Sequence, residues 1–246
     1  MPDADVTVVN NKSGIERAVE SRPRFDVAVT DLMWANYEQE YCFDGLDVLR
    51  VFRTVGKQIA VVFTVDGREL ERDYLDEALE QPEVAGICAR SMRPESLIRA
   101  IDIAATGGEL DKPEFLRGCN GAEVPRIHRY FATRRGETAA RLAGAIASGR
   151  AVNHETLAKT ALVGENTAKK VVDYLGPLIR SRGEHDRSLK MTPEVIYRWC
   201  GEHEPYILSW CRRNGLGEIG RPRLVRWGSL AGSVTSASDS VSSPRA

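Results

Sequence analysis

Three residues of the front half have side chains that could handle a phosphoryl group: Asp31, Thr64 and Arg90. Each lies at the end of an apolar run, in "FDVAVTDL", "IAVVFTV" and "VAGICAR" respectively. A carboxylate can attack phosphorus, while a hydroxyl and a cation can bind the transferred oxygens. Neighbouring parallel strands end at the same edge of a sheet, which would bring the three side chains into one crevice. The sequence therefore predicts a site resembling a phosphoryl acceptor.

Alternating strands and helices are predicted to position these residues within 1–112. Four strands are expected at 6–10, 25–32, 59–65 and 84–90. Four helices are expected at 12–21, 43–55, 69–81 and 93–108, the third with an acidic outer face. The order βαβαβαβα predicts an α/β domain with a parallel sheet that is covered on both faces.

Residues 5–110 resemble the receiver domain of bacterial two-component response regulators. "VAVTDL" is similar to the phosphoacceptor strand, "VVFT" to the strand with the switch hydroxyl, and "GICARSMRPESLIRAI" to the last strand and helix. The resemblance implies Asp31 as phosphoacceptor, a sensor histidine kinase as partner, and Mg²⁺ as cofactor for a functional receiver.

The front half departs from that family in three ways. One βα unit, which carries the acidic pair that holds Mg²⁺, is missing before Asp31. Arg90 stands where the family has lysine, and "MWANYEQEYCFD" lengthens the loop that leads to Gly45. Without its metal ligands the site lacks the main neutraliser of phosphoryl charge. We therefore expect an incomplete receiver-like domain, with no cofactor and with Asp31 not phosphorylated.

The back half is predicted to be wholly helical from residue 137. A connector at 113–136, with a short helix at 126–135, precedes helices at 137–149, 154–163, 165–183, 192–202 and 204–215. The third of these is expected to be weakened or kinked at Gly176–Pro177. The predicted domains are thus 1–112, which is receiver-like, and 137–227, which is all-α. A Ser/Gly/Ala-rich tail at 228–246 is expected to be disordered.

The formal charge of the chain is −1, but the charge is divided unevenly. Residues 1–112 contain 13 Lys/Arg against 22 Asp/Glu, while residues 113–228 contain 20 Lys/Arg against 12 Asp/Glu. The nets are −9 and +8, and the basic half is therefore a candidate for binding a polyanion.

The stretch at 145–179 reads as helix, short turn and helix. It resembles the helix-turn-helix of NarL/LuxR-type response regulators through Gly149, Asn153, Glu155, Leu157, Ala158, Thr167 and Lys169. Such a unit sets the start of its second helix into the major groove of DNA. The expected DNA-binding residues are Asn166, Thr167, Lys169, Lys170 and Asp173.

The sequence thus predicts a cytoplasmic transcription regulator that binds double-stranded DNA as a homodimer and is not an enzyme. No apolar run is long enough for a membrane span, and no signal-peptide pattern is visible. Five cysteines without C-x-x-C spacing favour reduced thiols over disulfides or a zinc site. Two alternatives stay open. One is a conventional phosphorylation-switched regulator whose true start lies upstream, and the other is a protein-interaction adaptor that does not bind DNA.

Overall fold

The computed structural model describes residues 4–34, 43–111, 124–219 and 221. Within these ranges the chain is a mixed α/β protein with three strands and eleven α-helices. In the front half the elements are α1 (Lys12–Ser21), β1 (Val27–Asp31), α2 (Gly45–Thr54), β2 (Ala60–Val65), α3 (Arg72–Ala78), β3 (Val84–Ala89) and α4 (Pro94–Ala105). In the back half they are α5 (Ile127–Phe131), α6 (Arg134–Ala147), α7 (His154–Ala161), α8 (Glu165–Lys169), α9 (Val171–Ser181), α10 (Pro193–Glu202) and α11 (Glu204–Arg213).

The sheet is parallel, as the sequence predicts, with strand order β1-β2-β3. One face of the sheet, with Val62 and Cys88, packs against Ala100 and Ala104 of α4. The opposite face, which includes Phe63 of the central strand, belongs to a second and larger apolar cluster. Helices therefore cover both faces.

The prediction of a strand at 6–10 is wrong. Those residues form neither strand nor helix, and the Val6 and Val8 side chains are exposed. The apolar alternation of the segment is real, but β1 pairs with β2 on one side and not with this segment. The observed order of the front half is therefore αβαβαβα.

Helix α6 is the centre of the back half and contacts five other helices, α5, α7, α9, α10 and α11. Its buried residues are mostly alanine and glycine, which lets neighbouring backbones approach closely. At Gly144 an added Cβ would lie 2.7 Å from the Cys211 Sγ atom. Cys88, Cys200 and Cys211 are buried free thiols, whereas Cys42 and Cys119 lie outside the described residues.

The helix predicted at 165–183 is interrupted, but not where the sequence indicates. It divides at Lys170, whose backbone is non-helical, into α8 and α9. Helix α9 then runs through Pro177 to Ser181. The interruption thus falls at Lys170, and the helix is continuous at Gly176–Pro177.

The two halves share the larger apolar cluster, which takes in Phe63 and Leu49 from the front together with Leu142 and Trp210 from the back. The expected division into domains at 1–112 and 137–227 stays a prediction. Part of the connector, residues 113–123, and the tail at 228–246 lie outside the described residues.

The acidic face of the third front-half helix does not point outward as predicted. On α3, Asp73 and Glu77 are buried and face arginines of the back half. Arginines of the back half offset the cost of burying these carboxylates. Part of the acidic charge of the front half and of the basic charge of the back half is therefore paired within the chain.

No helix in the described ranges has both the length and the apolar character needed to cross a membrane.

Candidate functional site

The ends of the three parallel strands bring Asp31, Thr64 and Arg90 together, as their spacing predicts. Asp31 is paired in register with Thr64. The Thr64 hydroxyl donates a hydrogen bond to the Asp31 carboxylate, and the Arg90 guanidinium lies 2.9 Å from its other oxygen. About 40% of each of the Asp31 and Arg90 side chains is exposed, so the cluster is open to solvent.

Gly45 explains how the chain turns tightly beside Asp31. An added Cβ there would lie 2.6 Å from the Asp31 carbonyl oxygen and 2.9 Å from the Leu32 Cα, so only glycine fits without a shift of backbone. The Gly45 N–H donates to the Leu32 carbonyl at 3.0 Å, and Asp44 caps the helix that follows. The start of α2 is thereby fixed against the end of β1.

Asp66 is a member of this cluster that the sequence reading missed. It follows β2 directly, and its carboxylate lies 3.4 Å from Arg90 Nε and 3.0 Å from Arg68 Nη2. An acidic residue one position past a buried strand, followed by glycine, was the signal that could have identified it. Arg90 therefore bridges two carboxylates.

The cluster is tied to the start of α3 through the buried carboxylate of Glu71. This carboxylate accepts hydrogen bonds from the Asp66 N–H at 3.0 Å and the Arg68 N–H at 2.8 Å. Glu71 is only 1% exposed, so the turn between β2 and α3 is held firmly. In the described part of the chain, no three His, Cys, Asp or Glu side chains are grouped so as to hold a metal ion.

The second candidate site is built from α6, α7 and α8. Both α6 and α8 contact α7, which buries Leu157, Ala158 and Ala161 toward its neighbours. Asn153 caps α7 through a reciprocal pair of hydrogen bonds with Thr156, each between 2.9 and 3.0 Å. Such a cap fixes where the helix begins.

The residues expected to bind DNA line the outside of this unit. Asn166, Lys169, Lys170 and Asp173 are exposed, and Thr167 is half-buried. Ala168, between them, is fully buried and anchors α8 to the core. Asn166, Thr167 and Lys169 of α8, together with Lys170 after it, are called the α8 surface, whereas Asp173 lies in the first turn of α9.

The turn between α7 and α8 has its left-handed residue at Leu162 and not at its glycine. Gly164 is the turn glycine of "LVGEN", yet its backbone is extended, and Leu162 takes the left-handed conformation with φ 55°. The Leu162 side chain is 66% exposed. The pattern of residue types gives no signal for this, because glycine is the usual occupant of such a position.

Comparisons with known proteins give no identification: no protein family, no curated protein and no solved structure matches this chain.

Proposed function

We propose that this protein is a cytoplasmic transcription regulator with the domain order of a response regulator, a receiver-like domain followed by a helix-turn-helix domain. It binds double-stranded DNA through a helix-turn-helix formed by α7, the 162–164 turn and α8. The observation that carries the proposal is the α8 surface, where exposed Asn166 and Lys169 and half-buried Thr167 lie on α8 and exposed Lys170 follows it directly. Amides pair with adenine and lysines with guanine or phosphate in the major groove. A homodimer would match the two-fold symmetry of a palindromic site.

The front half is, in this proposal, a receiver-like domain that acts without phosphorylation. The Asp31 carboxylate already accepts from Thr64 and pairs with Arg90, so its charge is balanced within the protein. Arginine keeps the charge of a lysine but spreads it over a planar fork that holds a carboxylate well. A conventional phosphorylation-switched regulator is the alternative, and it predicts that Asp31 takes a phosphoryl group from a small-molecule phosphodonor with Mg²⁺.

DNA binding is tested by fluorescence anisotropy of the full-length protein with labelled mixed-sequence duplexes across a salt series. Each neutralised phosphate contributes about −0.9 to the slope of log affinity against log salt. We expect Lys169→Ala/Lys170→Ala to weaken binding and to make the slope shallower by about 2. Arg187→Ala/Lys190→Ala removes the same charge from exposed positions between α9 and α10 and serves as the matched control.

The control should bind as the parent does. Equal losses in both double variants would indicate a general charge effect and would reject the α8 surface as the binding site. Absence of salt-dependent affinity in the parent would reject DNA binding and favour a protein-interaction adaptor.

A further inference from the structure

Leu162 is the one non-glycine residue with positive φ in the described ranges. Left-handed backbone places the Cβ of an L-residue too close to the following carbonyl, so non-glycine residues seldom adopt it. A leucine held there is a candidate for function, because such strain persists where a site needs it.

The conformation itself is a normal way to end a helix. The Val163 N–H donates to the Ala158 carbonyl at 3.0 Å, and the Leu162 N–H donates to the Lys159 carbonyl. Together these bonds form a Schellman motif, which requires its central residue to be left-handed. The end of α7 therefore determines the left-handed backbone at position 162. It does not explain why leucine, and not glycine, occupies that position.

Elsewhere this chain fills the same position with glycine. Four other helices end with the same long hydrogen bond around a left-handed residue, and in each case that residue is a glycine: Gly56, Gly107, Gly183 and Gly215. Leu162 is thus an exception among the Schellman motifs of the described residues, since the other four have glycine at the left-handed position.

Packing does not explain the exception, since 66% of the Leu162 side chain faces solvent. The neighbouring Val163 supplies the apolar contact with the core instead. Leu162 stands three residues before α8 and is followed by exposed Gly164, Glu165 and Asn166. Leu162 thus lies in the turn that leads into α8, and its apolar side chain is exposed there.

We propose that Leu162 is a specificity-determining residue that makes an apolar contact with a thymine methyl group at the edge of the major groove. The inference rests on the proposed DNA-binding function. Thymine alone among the four bases presents a methyl group in the major groove, and apolar side chains are its usual partners. Glycine at 162 would relieve the backbone but could not make this contact.

The test uses the full-length protein and a duplex selected from a random pool by the parent protein. Single thymines are replaced by uracil, which removes only the methyl group. We expect one replacement to weaken parent binding by about fourfold, the value of one buried methyl-sized group. Leu162→Ala should bind the thymine duplex with a similar loss and show no further loss with uracil.

Two more variants separate the contact from the fold. Leu162→Gly should keep the Tm or raise it by about 2–4 °C while DNA affinity falls. Leu189→Ala, which truncates a 58% exposed leucine between α9 and α10, is the matched control and should bind as the parent does.

Several results would overturn the inference. Parent-like affinity of Leu162→Ala or Leu162→Gly would do so, as would an equal uracil effect with and without the leucine side chain. A lower Tm for Leu162→Gly would show that the leucine serves the fold. In each of these cases a weakened Lys169→Ala/Lys170→Ala variant would leave the DNA-binding function standing, whereas absence of DNA binding by the parent would remove both.

Discussion

At the scale of single residues, Arg135 supplies a hydrogen bond that a proline removes from a helix. Pro177 has no N–H, so the carbonyl of Asp173 lacks its normal helical donor. The Arg135 guanidinium donates to that carbonyl at 3.1 Å and lies 5.6 Å from the centre of the Tyr174 ring. The Tyr130 hydroxyl donates to the next carbonyl, that of Tyr174, at 2.6 Å. Both bonds serve carbonyls of the turn before the proline, and helix α9 continues to Ser181.

We expect Arg135→Ala to lower the free energy of unfolding by about 1 kcal/mol, because an acceptor loses its partner. In a Pro177→Ala background the restored N–H can serve the Asp173 carbonyl, so the same change should cost clearly less. Urea unfolding of the four proteins in this cycle measures the difference. Arg134→Ala, at the exposed neighbouring position, should change stability by less than about 0.5 kcal/mol. Equal costs in both backgrounds would contradict this role.

Residues at strand ends could be predicted because strand direction is encoded locally. Apolar runs identified β1, β2 and β3, although not every such run is a strand, and parallel pairing then brought Asp31, Thr64 and Arg90 together. Leu162 and Arg135 could not be predicted in the same way. Leu162 occupies a backbone position that glycine normally takes. Arg135 donates a hydrogen bond to a carbonyl 38 residues away in the sequence.

At the scale of elements, α3 and the segment after it join the two halves through a stripe of carboxylates. Asp73 and Glu77 are four residues apart and lie on one face of α3, and Glu80 follows just after the helix ends. Arginines of the back half meet all three: Arg182 lies 2.8 Å from Asp73, Arg213 holds Glu77 through both of its terminal nitrogens, and Arg126 and Arg129 contact Glu80. A second contact pairs Arg212 with Asp44 at 2.7 Å and with Asp47 at 2.5 Å.

The carboxyl pKa values along this interface shift in opposite directions, because burial dominates at Asp47 and ion pairing dominates at Glu77. Burial raises the pKa of Asp47, and the neighbouring Asp44 adds to the rise against the opposing Arg212. Burial also pushes the pKa of Glu77 upward, but Arg213 and the Tyr206 hydroxyl outweigh it and lower the pKa. Glu77 is thus held as a charged partner.

The most deeply buried of these pairs, Asp73 with Arg182, gives the prediction at this scale. Only 1% of the Arg182 side chain and 7% of the Asp73 side chain are exposed. Arg182→Met should cost about 1.5–3 kcal/mol of unfolding free energy, because buried Asp73 loses a charged hydrogen-bond donor and keeps His203 as its partner. Adding Asp73→Asn should recover part of that loss, so the double variant costs less than the sum of the two single ones.

The exposed pair of Arg24 and Asp26 provides a control, with 82% and 60% of the two side chains accessible. Arg24→Met should change stability by less than about 0.5 kcal/mol. Strictly additive costs at Asp73 and Arg182, measured by urea unfolding, would show that the two do not act as a pair.

At the scale of the whole molecule, the halves meet through aromatic contacts as well as charges. The Tyr74 ring of α3 packs edge-on against Tyr206 of α11, with 5.1 Å between ring centres. Local sequence patterns predict the two helices that carry Tyr74 and Tyr206. They do not predict the contact between the rings, because the two residues are more than 130 positions apart in the sequence. For the same reason the charge division indicated a polyanion partner, whereas many of the arginines serve this internal interface.

His203 sits at this interface between two carboxylates, and its charge links the stability of the fold to pH. Its Nδ1 lies 2.6 Å from Asp73 and its Nε2 lies 3.5 Å from Glu184. Burial lowers the histidine pKa, but hydrogen bonds with these two carboxylates outweigh burial and raise the pKa to about 9. The pKa of Glu184 moves the other way, to about 2, since His203, Arg182 and Trp199 outweigh its burial.

Because the folded pKa of His203 lies above the usual value of 6.5, its contribution is fully present below pH 6.5 and is lost as pH rises toward 9. We expect the free energy of unfolding to fall by up to about 3 kcal/mol across this range, as measured by urea titrations at successive pH values. His203→Gln should be less stable than the parent at pH 6 but similar to it above pH 9.5. His154→Gln, at the exposed start of α7, should retain the parent profile. If the stability of His203→Gln fell with pH as steeply as that of the parent, another group would have to cause the loss at high pH. The contact between the halves would then not depend on the protonation of His203.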